Sequence, residues 1–455
     1  MVSAIEHELR SLVGSDGVLP GSTSPYLSDL TEERGLGGHA DAVVLPRGAD
    51  EVAEVVSWCY EADVPIVPRG GGTGYAGGAV PFGGVVLSLE RMAAVRSFEP
   101  LVWRIEVEAG LRTADLRRIV RESGLFFAPD PGAAEQSHIG GNIATNAGGP
   151  HAFKYGVTGA WVMGLEVVLA PGELVRVGGP LRKDVAGYDL KRLLIGSEGT
   201  LGVITAAWLR LLPAPEVFLP VVGFYDGIAT GAAALERVVA NGLMVAALEY
   251  LEGAALAAAG GSFPEGVPDG ASFLVVAEAD GSQEEAARLR DDVVEALGEG
   301  ALAVRTPEAP ADVAALWRWR EGVTFAVTAR RGSKVSEDVV VPFDRIAEGI
   351  EGTVAIGRRH GLEACSWGHA GDGNLHSTFL FTPGDPDEFE RCERAVDDLF
   401  ELALGLGGSI SGEHGVGVLK RPHVADYLAP SLVSLQAQIK RAFDPKGLFN
   451  PGKKL

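Results

Sequence analysis

Residues 68–84 read PRGGGTGYAGGAVPFGG and lie between two strand-like runs, VPIVP and VVLSL. Gly72, Gly74 and Gly77 satisfy the G-x-G-x-x-G spacing of a dinucleotide-binding turn, and Glu90 stands about where an acidic ribose ligand is expected. That turn needs a helix directly after the glycines, because its N-terminal amides hold the pyrophosphate. Gly78, Pro81, Gly83 and Gly84 cannot support one. The two strands must therefore be joined by irregular chain, which excludes a Rossmann unit and makes the match of Glu90 coincidental. Successive glycine amides still form an anion-receiving nest without a helix. The plain alternative is a mobile surface loop.

The chain has 455 residues, enough for two or three domains. Its 61 acidic and 39 basic residues leave a net charge of -22, which argues against nucleic acid or anionic membrane as the main partner. An anionic substrate would have to be held by local cations. Cys59, Cys365 and Cys392 lack metal or disulfide spacing and suit buried sites in a reducing cytosol. The N-terminus has no apolar signal core, and no run approaches the about 18 apolar residues of a membrane span. These features give the expectation of a cytoplasmic protein.

Along the chain, residues 1–38 form a helical lead-in (SAIEHELRSLVG) and a loop. Residues 39–215 alternate strands and helices around three glycine-rich stretches, at 68–84, 129–156 and 193–205, and three permissive loops in one domain point to one extended ligand. In the second half, residues 216–421, the order strand, helix, strand, strand, helix predicts an antiparallel sheet covered by helices. Residues 422–455 form a final helix and tail. The fold class expected is α+β.

Taken together, PRGGGTGYAGG (68–78), IGGNIATNAGG (139–149), KYG (154–156), KDVAGYDLKRLLIGSEGTLGVIT (183–205) and FNPGK (449–453) resemble the vanillyl-alcohol oxidase, or PCMH-type FAD, family. The resemblance runs from about residue 40 to the C-terminus. It implies a PCMH-type FAD-binding domain of two α/β subdomains holding an extended FAD, with the tail returning to it. The cofactor-binding residues implied are Pro68, Arg69, Gly70, Gly71, Gly72, Thr73 and Gly74 in the first loop. The second supplies Pro129, Gly140, Gly141, Asn142, Thr145, Asn146, Gly148 and Gly149. The third supplies Glu198, Gly199, Thr200, Val203 and Ile204, and the tail Asn450. Some members attach FAD covalently through a loop His or Cys. The first loop here has Tyr75 instead, so a dissociable FAD is expected, with His138 beside the second loop as the competing residue.

A different chemistry is written in WGHAGDGNLHSTFLF (367–381) and SGEHGVG (411–417). The first predicts a hairpin whose turn is flanked by His369 and His376. With Glu413 they form a two-imidazole, one-carboxylate set for Zn²⁺ or a similar divalent ion with open positions. Lone histidines are more often structural. These segments are similar to the D-2-hydroxy-acid dehydrogenase branch, which includes D-lactate dehydrogenases, D-2-hydroxyglutarate dehydrogenase and the glycolate oxidase flavin subunit. The resemblance implies that His369, His376 and Glu413 bind metal, that His414 is the base, and that Asn374 contacts substrate or orients a ligand.

Oxidising a 2-hydroxy acid moves hydride from Cα to flavin N5 while the hydroxyl loses its proton, and a metal on that hydroxyl acts as Lewis acid. A neutral histidine can take the proton; the alternative for His414 is to orient Glu413. LWRWREGVTFAV (316–327) predicts one helix on which Arg320 and Thr324 share a face. It resembles the segment whose Arg and Thr hold the substrate carboxylate, a task suited to a planar guanidinium; Arg318 is the competitor. Lys334 is similar to a substrate-binding lysine, although its offset from Asp338 departs from the 2-hydroxyglutarate pattern. The function expected is FAD-dependent oxidation of a small D-2-hydroxy acid to the 2-oxo acid, with electrons passed to an external acceptor. Two alternatives are an alkyl-glycerone-phosphate-synthase-like FAD enzyme and the flavin subunit of a glycolate-oxidase-type complex. A homo-oligomer is compatible with all three.

Overall fold

The computed structural model describes residues 4–455, so the first three residues of the expected lead-in lie outside the described residues. The chain forms two compact units, Met1–Gly148 with Gly156–Ala214 and Glu413–Leu455, and Gly149–Tyr155 with Pro215–Gly412. The lead-in and residues 413–421 thus belong with the first unit, and Gly149 and the six residues after it with the second. The sequence placed these segments otherwise because unit membership depends on what the side chains meet.

Among the described residues the first unit holds two larger sheets and a two-stranded one, Leu125–Phe126 with Leu212–Pro213. One has the spatial order Val18–Pro20, Ala42–Val44, Val85–Ser88, Ile66–Arg69. The last two strands are parallel neighbours joined by residues 70–84, which contain no helix, as the glycines and Pro81 require. Parallel neighbours ordinarily need a helical crossover. Helix Ala49–Glu61 makes such a crossover earlier, burying Val52, Val55, Val56, Cys59 and Tyr60 along one stripe. The C-terminal tail adds to the sheet edge: Ile66 donates its amide to Leu448 O at 2.8 Å, and Asn450 donates to Ile66 O at 2.7 Å. Phe449 is thereby fully buried.

The second sheet is antiparallel, in the order Val95–Glu99, Arg104–Glu108, Val203–Arg210, Val162–Leu169, Glu173–Gly178. Glu166 is buried in it and receives Arg96 Nη1 at 2.7 Å, Arg176 Nη2 at 3.0 Å and Thr205 Oγ1 at 3.0 Å. Burial pushes its carboxyl up, but the Arg96 and Arg176 bonds outweigh that and hold it below the ordinary 4.5. A depressed acid contributes stability above its unfolded value and loses it as pH falls through the folded one. Glu166→Gln should therefore cost roughly 1–3 kcal/mol near neutral pH. Urea melts should show that difference shrinking as pH falls below about 4.5; a difference that persists in acid would refute the ion-pair account.

The second unit is one seven-stranded antiparallel sheet, ordered Ala303–Arg305, Val217–Tyr225, Phe273–Gly281, Ala247–Glu252, Glu363–His369, Asn374–Phe381, Ser333–Val340. Helices Ile228–Ala240, Gln283–Gly298, Ile346–His360 and Pro386–Gly405 pack on it. Leu251, Trp367, Leu380 and Leu274 join a separate apolar cluster with Leu256, Trp319, Val323 and Val327. All three cysteines are buried, with no disulfide among the described residues. No described helix is long and apolar enough to cross a membrane.

Candidate active site

Close backbone approach shapes the first glycine loop. A Cβ on Gly71 would lie 2.1 Å from Gln136 O, and one on Gly70 would lie 3.2 Å from Gly141 Cα. Only glycine lets the first and second loops meet in this way. The second stretch is partly helical, Ile139–Thr145, where the sequence suggested only loop. Asn142 Nδ2 donates to Thr113 Oγ1 at 2.6 Å, and Thr145 donates to Gly141 O. Asn146, in the left-handed region, accepts the Gly159 amide. Thr113 begins its helix without capping it; its hydroxyl lies 2.8 Å from that of Ser137.

Several implied cofactor residues hold the cradle itself. The Arg69 guanidinium donates to the carbonyls of Ser28 and Pro25, both at 2.8 Å, and burial pushes its pKa down. Glu198 accepts the amides of Val416 at 2.9 Å and Gly417 at 2.6 Å, and Lys454 Nζ at 3.1 Å. Asn450 Nδ2 donates to Glu198 O and Gly78 O, while its Oδ1 accepts from Lys453. Burial pushes the Lys453 ammonium down to about 7. Thr200 donates to Ser197 O, a Cβ on Gly199 would touch Pro68, and Gly74 O accepts the Leu30 amide. Pro129, Val203 and Ile204 are buried, and Thr73, Gly72 and Gly140 complete the loops. A Cβ on Gly148 would lie 2.8 Å from Glu413 Oε2. Glu90 accepts from the Tyr26 hydroxyl at 3.0 Å.

The cradle fits a phosphate-bearing cofactor. Its glycine amides carry no side chains, and His138 Nδ1 is buried without a hydrogen-bond partner among the described residues. Burial also lowers the His138 pKa, so the ring is neutral near pH 7. His414 stacks on Tyr75, with ring centroids 4.7 Å apart and planes 27° apart.

In the second unit the expected hairpin is present as Glu363–His369 and Asn374–Phe381, with a turn between them. Directly paired residues share a face of the sheet. The pairs Asp338 with His376, Trp367 with His376, and Glu249 with His369 therefore put four ionisable residues on one face across four strands. His369 and His376 are buried, with ring centroids 5.2 Å apart at 86°. Two imidazoles on one tetrahedral Zn²⁺, at about 2.0–2.1 Å per nitrogen, have centroids roughly 5 Å apart, so the pair fits a shared ion.

Glu249, which the sequence reading passed over, sits behind this pair. Its Oε1 lies 2.6 Å from His369 Nδ1, and its Oε2 lies 2.6 Å from Arg320 Nη2. Burial pushes the carboxyl up, but the charges of His369 and Arg320 outweigh it and hold the group below its ordinary value. The signal was present in ALEYLEG: a strand with a Glu among apolar residues must pair it.

Arg320 and Thr324 do not share one helix. The segment breaks at Gly322 into Pro310–Glu321 and Val323–Ala329. Arg320 turns to Glu249, while Thr324 accepts from Lys334 Nζ through both its carbonyl, at 3.0 Å, and its hydroxyl. Asn374 donates to Val339 O at 3.1 Å. Asp338 accepts the Gly412 amide at 2.8 Å, which anchors the chain one residue before Glu413. The KYG motif works in the second unit: Lys154 and Tyr155 both bond Asp280, and His151 lies 2.8 Å from Glu278.

Known proteins resemble both parts of the chain. An FAD binding domain model matches residues 40–178, and a model of the C-terminal domain of FAD linked oxidases matches 214–454. The chain is 39% identical over 415 residues to a glycolate oxidase subunit GlcD of Bacillus subtilis, covering 91% of this chain and 88% of that protein. It is 34% identical over 428 residues to a D-lactate dehydrogenase of Anaerostipes hadrus, covering 91% and 89%. A solved p-cresol methylhydroxylase superposes with TM-score 0.79 at 20% identity, covering 100% and 97%, which shows the fold alone. With its glycine cradle, its antiparallel second unit and these matches, the chain belongs to the FAD-linked oxidases, oxidoreductases with a PCMH-type FAD-binding domain, in the D-2-hydroxy-acid dehydrogenase branch.

Proposed function

We propose that this protein oxidises a small D-2-hydroxy acid of the lactate or glycolate type to the 2-oxo acid and passes the electrons to an external acceptor. The observation that carries the reading is the buried His369–His376 pair, spaced for one ion and backed by Glu249. When bound, FAD supplies a hydride acceptor and a divalent ion, Zn²⁺ being favoured by the donors, supplies Lewis acidity toward the hydroxyl. His369 and His376 would hold that ion with Glu413, which follows directly on the anchored Gly412. The glycines of 70–74 and 140–149 would hold the cofactor. Arg320, Thr324 and Lys334 would orient the carboxylate, with Asn374 shaping the turn beside them. His414, held flat against Tyr75, would take the hydroxyl proton.

The reading draws support from the relatives named for D-lactate and glycolate. That one of them is named as a subunit makes a partner chain part of the proposal. An anaerobic screen of D- and L-2-hydroxy acids should bleach the flavin absorbance with a D-isomer or glycolate. No bleaching by any hydroxy acid would sink the proposal.

A further inference from the structure

We propose that Glu249 is a positioning residue which selects the metal-facing nitrogen of His369 and at the same time anchors Arg320. The inference rests on the metal reading above and deepens it. Glu249 is fully buried at the centre of a row running Arg320, Glu249, His369, His376 on one face of the sheet. A carboxylate can only accept a hydrogen bond, so at 2.6 Å it forces the His369 proton onto Nδ1 and leaves Nε2 with its lone pair. The bond also fixes the ring plane and makes Nε2 more basic toward a cation. The strands supply the alignment, since Glu249 and His369 are register partners on adjacent antiparallel strands and side-chain freedom is small.

The second carboxylate oxygen pairs with Arg320 Nη2 at 2.6 Å, while Arg320 Nε is buried without a hydrogen-bond partner among the described residues. Buried charged donors left in that state are costly unless another acceptor completes them. A substrate carboxylate is an acceptor of the right charge and shape. Glu249 thus holds the guanidinium in place by charge while leaving Arg320 Nε to donate to a second anion. One residue orients both the ion's ligand and the substrate's anchor, which links the two halves of the binding site.

The test uses the full-length holoprotein with Zn²⁺, and with Co²⁺ as a spectroscopic probe. Metal affinity is measured by competition with a chelating dye, alongside flavin content and melting temperature. Glu249→Ala should weaken Zn²⁺ binding about 10- to 100-fold and shift the Co²⁺ ligand-field bands. Glu249→Gln, which keeps shape and an accepting oxygen, should fall between that variant and wild type. Because alanine leaves Arg320 buried without a partner, Glu249→Gln with Arg320→Gln provides a neutral pair if the single variant does not fold, and the intermediate affinity loss of Glu249→Gln is expected for it. If wild type binds Zn²⁺ and all folded variants bind it equally well with unchanged Co²⁺ bands, Glu249 has no positioning role and the metal reading stands. If wild type binds neither ion, the metal reading fails and this inference fails with it.

Discussion

His376→Ala is expected to lower the rate of flavin reduction by the preferred hydroxy acid by about 10³-fold, and chelation of the wild-type protein to do the same. The size follows from the chemistry: an alcohol proton is far too basic to leave at neutral pH, and a Lewis acid on the oxygen supplies several kcal/mol, each 1.36 kcal/mol being tenfold in rate. His376 is the sharper choice because Glu249 contacts His369, so a His369 variant would disturb Arg320 as well. Stopped-flow absorbance under anaerobic conditions gives the rate, and metal analysis gives the occupancy. Retention of flavin with loss of both metal and reduction is the expected pattern. Unimpaired reduction in the metal-free protein would remove the ion from the mechanism.

Gly71→Ala is expected to empty the flavin site. Its added Cβ would sit 2.1 Å from a backbone oxygen, Gln136 O, which cannot rotate away as a side chain could. The first and second glycine loops would have to separate, and overpacking of that kind costs about 1–3 kcal/mol, roughly a 10- to 100-fold loss of FAD affinity. The ratio of flavin to protein absorbance after purification and a fluorescence titration with FAD both read the effect. Gly48→Ala serves as the control in the same unit, since nothing lies within 4 Å of a Cβ built there. Equal loss in both variants would mean general destabilisation, and full occupancy in Gly71→Ala would show that close loop approach is not needed.

Much of this was visible in the sequence because local chemistry dictated it. Between Gly70 and Gly84 the glycines and Pro81 forbid a helix, and the strands on either side pair in parallel across helix-free chain. The hairpin carrying His369 and His376 was legible because alternation and a tight turn determine register over a short span. The helix Ile139–Thr145 was hidden, since its two glycines are poor helix formers and only packing against Ala109 and Gly70 makes them suitable. Arg320 and Thr324 looked like one helical face, but Gly322 separates them and each finds a partner on a different strand.

By itself the sequence determined where the chain must be irregular, which strands alternate, and which residues carry donor groups of the type that phosphate or metal binding needs, because these depend on backbone freedom and donor type. Only the tertiary structure decided which of those residues meet. Glu249 lies 120 positions from His369 in the chain and 2.6 Å from it in space. Strand order across the sheet brings that pair together, and strand order is set by burial of the whole face rather than by any local pattern.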